Sequence, residues 1–114
     1  MYLKNFGDIV AEREFSTSDG KKVVILIGRP NPFPPGEGID GFYYCPFQIR
    51  GLSDETIMFG SGVDKLSSLF SAVRMLTACL NTQQVGNKLS WKPGESVEKD
   101  LGLPRLDFWK CFDY

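Results

Sequence analysis

Residues Asp64 to Asn81, DKLSSLFSAVRMLTACLN, constrain the fold more than any other stretch. They form the one clear amphipathic helix in a chain otherwise patterned as strands, turns and loops. Leu66, Leu69, Phe70, Val73, Leu76, Thr77 and Leu80 recur at helical spacing, which predicts one apolar face. Asp64 is placed to cap the first turn, where its carboxylate accepts from free amides and complements the helix dipole. Gly86 and Asn87 stand a little past the expected end, where a left-handed stop is favoured. A helix with one apolar face needs a sheet to cover, and the flanking sequence supplies one.

Residues Gly7 to Ser16 predict a first strand, with Ile9, Ala11, Arg13 and Phe15 on one face and Asp8, Val10, Glu12 and Glu14 on the other. Arg13 departs from the apolar pattern, and its long stem can snorkel past the edge of a core. Ser18-Asp19-Gly20 is a hairpin signal, because Asp-Gly suits positive φ. Lys22 to Arg29 follows as a strand whose centre, Val23 to Ile27, is wholly apolar and mostly β-branched, as expected of a central strand shielded on both faces. From Gly28 to Gly41 the chain reads GRPNPFPPGEGIDG, and its prolines and glycines predict an irregular, functional loop. Phe42 to Arg50 resumes as a strand, with Tyr43, Cys45, Phe47 and Ile49 toward the core. Pro46 implies an edge or a bulge there. Ser53-Asp54-Glu55 turns the chain into a fourth strand, Thr56 to Phe59, and Gly60-Ser61-Gly62 leads into the helix. Leu89-Ser90-Trp91 reads as a short strand or buried loop. The expected architecture is α+β: an antiparallel meander of about four strands, covered on one face by the helix, with an irregular apolar C-terminal tail that docks on the domain.

Length fits one domain, residues 1–114. Thirteen Lys and Arg against fourteen Asp and Glu give a net charge of −1, which argues against a dedicated nucleic-acid binder. The start lacks the apolar core of a signal peptide. The longest apolar run, Val23 to Ile27, is far below the ~20 residues that span a bilayer. A cytoplasmic protein with no membrane partner is expected, and Cys45, Cys79 and Cys111, odd in number, are expected to be free thiols. The chain contains no histidine, which removes Ser-His-Asp and Cys-His catalysis and histidine-based zinc sites.

Several motifs resemble chemistry and have a plainer reading beside it. Gly36, Gly38 and Gly41 match G-x-G-x-x-G, but they follow prolines and precede a strand, whereas a dinucleotide site needs a helix there. Gly60-Ser61-Gly62 joins a strand to a helix and could offer amides to a phosphate, yet Asp64 occupies the anion's place, so a tight turn is favoured. Arg29, Pro32 and Pro35 fit the R-x-x-P-x-x-P pattern of SH3 ligands, in a segment held between strands rather than in a free tail. Phe42, Tyr43, Tyr44 and Phe47 could line a pocket or stack bases, and read more simply as sheet packing. Glu12 and Glu14 share a strand face, best read as solvated. Among the thiols only Cys111, beside Lys110, has an activating neighbour.

The stretches IVAERE at 9–14, ILIGRPNPFP at 25–34, YYCPFQIRGLSD at 43–54, GVDKLSSLFSAV at 62–73 and LGLP at 101–104 resemble, in order, a family of short bacterial proteins known as a domain of unknown function. The resemblance implies a compact bacterial cytoplasmic domain and carries over no activity and no catalytic residue. The chain after Pro104 lies outside it. The functional expectation rests instead on small size, the absence of a catalytic constellation, the Pro/Gly-rich loop and the surplus of aromatic residues. It is a non-catalytic domain that binds another protein, of the immunity or toxin-neutralising kind, through Arg29, Asn31, Phe33, Tyr44 and Trp109, with no cofactor and no metal. The alternative is a small-ligand sensor with a pocket between sheet and helix lined by Tyr43, Tyr44 and Trp91.

Overall fold

The computed structural model describes residues 3, 5–17, 19–52 and 54–87, with side chains to residue 80. The short strand or buried loop expected at Leu89-Ser90-Trp91 and the tail after Asp100 lie outside the described residues. Within them the chain forms β1 (Ile9–Ser16), β2 (Lys22–Gly28), β3 (Asn31–Pro32), β4 (Tyr43–Arg50), β5 (Met58–Gly62) and α1 (Lys65–Asn87). The α+β expectation holds: an antiparallel sheet ordered β1-β2-β4-β3, with β5 on the other side of β4, carries one helix.

The β1–β2 hairpin closes at the Asp-Gly turn, where Gly20 has φ +87° and Lys21 N donates to Thr17 Oγ1 at 2.9 Å. Its register sets Ala11 opposite Ile27, Arg13 opposite Ile25 and Phe15 opposite Val23, as alternation requires. That alternation stops at Ala11, since the register shifts by a bulge between Ile9 and Ala11. β2 is central, lying between β1 and β4. Val23, Ile25 and Ile27 enter the core on the helix side, and Leu26 is buried on the other, so both faces are shielded as its unbroken apolar run predicts.

β4 also follows its alternation. Cys45, Phe47 and Ile49 join the core with Phe15, Ala72, Leu76 and Leu80. Pro46 sits inside this central strand because the ladder opens there. β2 pairs with β4 up to Ile27 opposite Phe47, and pairing resumes with Asn31 opposite Tyr44. Gly28-Arg29-Pro30 therefore faces Cys45-Pro46 with one residue to spare, a bulge placed where both prolines lack donors.

This pairing corrects the expectation of a wholly irregular Gly28–Gly41 loop. Gly28 belongs to β2, β3 resumes the line of β2 along β4, and Phe33 N donates to Phe42 O at 3.1 Å, so the segment is a hairpin arm. Proline breaks a ladder only where its nitrogen must donate, and Pro32 sits at the end of a two-residue strand. Turns closed by Glu37 N to Pro34 O and Phe42 N to Ile39 O form the tip.

The helix runs to Asn87, beyond the expected Asn81. No proline or glycine interrupts the sequence before Gly86, so nothing stops it earlier. Its start is the expected cap. Ser67 N donates to Asp64 Oδ1 at 2.7 Å, and Asp64 N donates to Ser67 Oγ at 3.1 Å, a reciprocal box.

The buried face differs from the expected one in its first turns. Leu66 is 58% exposed and Phe70 43%, whereas Ser68 and Ala72 are fully buried. The reason lies in β5, which runs through Gly60-Ser61-Gly62 as a strand and not as the expected tight turn. A Cβ on Gly60 would meet Ser71 C at 2.6 Å and lie nearer still to the Ala72 nitrogen. One on Gly62 would meet Ser68 N at 2.6 Å. Helix backbone rests directly on strand backbone, and only small residues fit between them.

Candidate functional site

The hairpin arm gathers three of the residues expected to bind a partner. Asn31 opposes Tyr44 across the β3–β4 ladder, so the two share the sheet face away from the helix, and Phe33, two residues on, shares it too. Phe59, opposite Pro46 on β5, adds a ring to the same face. Phe33 and Tyr44 have ring centroids 5.4 Å apart at 45°, Phe33 and Phe59 5.8 Å at 78°, and Tyr44 and Phe59 6.1 Å at 76°. These are tilted and edge-to-face contacts, the favoured geometry for aromatic pairs. All three rings are half-buried, so Phe33 is one wall of a cluster. Gly38 folds over it, since a Cβ there would overlap the Phe33 ring.

Arg29 stands at the bulge beside this cluster. Its backbone nitrogen donates to Asp8 O at 2.9 Å, its carbonyl accepts from Asn31 Nδ2 at 2.8 Å, and its side chain is exposed. Trp109 lies outside the described residues. Sequence reasoning missed Phe59, placing it in a strand without a role. The signal that finds it is the meander itself, which sets β5 beside β4 and opposes Phe59 to Pro46 on the face of Tyr44.

The structure disposes of other motifs by where they fall. Gly36, Gly38 and Gly41 lie in the arm tip and lead into a strand, so no helix N-terminus stands behind them. Pro32 of the SH3-like pattern pairs with Tyr43 in the sheet. The amides of Ser67 and Ser68 at the start of α1 are taken by Asp64. Tyr43 and Tyr44, expected to line one pocket, alternate to opposite faces of β4. Trp91, their expected companion, is outside the described residues. Glu12 and Glu14 are exposed, Glu14 pairs with Lys22 at 3.4 Å, and no group of potential metal ligands forms among the described residues.

Burial sets the chemistry of the thiols. Cys45 is fully enclosed and donates to Gly28 O at 3.4 Å, and desolvation pushes it up to about 11. Cys79, half-buried in the helix, is raised by the same cause. Both are free and protonated near neutral pH, which deprives them of nucleophilic character. The Asp64 carboxyl is lowered by the Ser67 amide and then the Ser67 hydroxyl, as befits a cap. No described helix is long and apolar enough to cross a membrane. What the arm offers is a rigid aromatic surface with an amide and a guanidinium at its margin.

The sequence pattern of DUF6968, a domain of unknown function, matches residues 11–105. That span takes in the whole sheet from Ala11 onward, the hairpin arm and α1, so the chain belongs to this family. No curated protein and no solved structure matches it.

Proposed function

We propose that this member of the DUF6968 family is a non-catalytic domain that binds another protein through the aromatic face of its hairpin arm. The observation that carries the reading is the contact of Phe33, Tyr44 and Phe59 on the sheet face opposite the helix, with Asn31 on the same ladder. Packed rings lose little freedom on binding, and aromatic anchors with an arginine nearby are the residue types that dominate interface energies. The partner we propose is a toxin, neutralised in the cytoplasm by occlusion. The net charge of −1 favours a contact surface over mimicry of a nucleic acid.

The small-ligand alternative has less behind it. The two tyrosines face apart, and a concavity above β1 and β2 measures about 100 Å³. Small-molecule sites usually enclose ~300–1,000 Å³.

The test is a titration of the full chain against the product of an adjacent toxin-like reading frame. Phe33→Ala and Tyr44→Ala are expected to weaken binding by about tenfold or more, and Arg29→Ala by less. If a partner binds all three variants as tightly as the wild type, the arm is not the interface.

A further inference from the structure

We propose that the outer edge of β1, unpaired among the described residues, accepts an extended segment of a partner protein that alternates basic and apolar residues, joining the sheet as an added strand. β1 pairs with β2 on one side, and no described strand pairs with its other edge. The strand is eight residues long and contains no proline. Ile9 is 48% exposed and Val10 55%, and Ala11 is exposed beside them. Long edges of this kind offer an unused ladder of amides and carbonyls to an incoming chain.

Each side of the edge specifies what the added strand must carry. On the helix side, the concavity of about 100 Å³ is floored by Ala11, Ile25 and Ile27, with Glu12 and Arg13 at its margin. Its apolar lining suits one branched aliphatic side chain. On the opposite side Glu12 and Glu14 project, paired across the ladder with Leu26 and Val24. Glu14 is held by Lys22, and Glu12 has no partner among the described residues. An incoming strand presents alternate residues to these two sides. Lysine or arginine against the glutamates and an aliphatic residue over Ile25 and Ile27 satisfy both at once.

The same charges discriminate against a second copy of this chain. Two β1 strands forming one continuous antiparallel sheet oppose residues of the same face. A register centred on Glu12 or Glu14 sets that glutamate against itself, and one centred on Arg13 sets Glu12 against Glu14. Like charges directly opposed are destabilising. In these registers the acidic row disfavours self-pairing, and it favours a basic strand. This surface does not use the hairpin arm, and Phe33→Ala should leave it intact.

The test titrates the full chain with the peptides Lys-Val-Lys-Ile-Lys-Val-Lys, Glu-Val-Glu-Ile-Glu-Val-Glu and Lys-Ser-Lys-Ser-Lys-Ser-Lys, read by NMR-detected amide exchange. The basic-aliphatic peptide is expected to slow exchange at alternate amides between Val10 and Phe15. The acidic and serine versions should bind about tenfold or more weakly. Glu12→Lys, an exposed change whose fold is checked by circular dichroism, should invert the preference between the two aliphatic peptides. Protection on α1 or the arm instead of β1, equal binding of the acidic or serine peptide, or an unchanged preference in Glu12→Lys overturns the proposal. So does a dimer in sedimentation that protects the same β1 amides.

Discussion

Cys45 shows how a single position can tie stability to pH. Its thiol is enclosed, donates a hydrogen bond to the Gly28 carbonyl at the bulge, and is raised by burial from 9.0 to about 11. An unfolded chain would ionise this group near its ordinary value, so the folded state binds its proton more tightly. The stabilisation is complete below that value and is lost as pH rises through the window from 9 to about 11. Wild type and Cys45→Ala, compared by chemical denaturation, should therefore differ most at neutral pH and converge above pH 9. Asp64 works in the opposite sense. Its lowered carboxyl supports the helix start at neutral pH, and that support is lost as pH falls below the ordinary carboxylate range.

Between elements, the decisive contact is α1 on β5. Gly60→Ala would drive a methyl into the Ala72 backbone, which cannot move as a side chain end can. The expected cost is about 3 kcal/mol, at the upper end for overpacking, read as a lower midpoint in urea with an unchanged slope. An effect below about 1 kcal/mol would mean that the helix is free to lift away. This contact also marks where sequence pattern misleads. Hydrophobic spacing at Leu66 and Phe70 points to one helix face, but the neighbour's missing side chains select small residues, so Ser68 and Ala72 turn inward. Spacing reads apolarity, while the strand beneath demands small volume. Further along, Leu76 and Leu80 meet β4 and the core, and the pattern is right again.

Across the whole molecule, what can be read from the sequence follows how each segment satisfies its backbone. β2 and β4 are legible because their side chains meet covered faces on the helix side, and Leu26 is buried behind. The arm is not, because Pro30, Pro32 and Pro46 advertise irregularity while the bulge absorbs them into the ladder. Asn31, Phe33 and Tyr44 are legible as a group once the ladder is known, whereas Phe59 depends on β5 lying beside β4, a tertiary fact. The result is a sheet whose helix-covered face forms the core and whose far end presents aromatic rings. The arm and the β1 edge lie on different strands, so the two surfaces can be altered independently.

The glycine contact between β5 and α1 has a kinetic consequence. It joins two elements that follow one another directly, so it closes a short loop and costs little chain entropy, unlike the pairing of β2 with β4 across the whole arm. The β5–α1 unit is thus placed to assemble before the remainder of the sheet condenses on it. Ala72→Gly, followed by stopped-flow mixing, should lower the folding rate and barely alter the unfolding rate. A loss appearing only as faster unfolding would put this contact late, and the search for the first-formed structure would move to the β1–β2 hairpin.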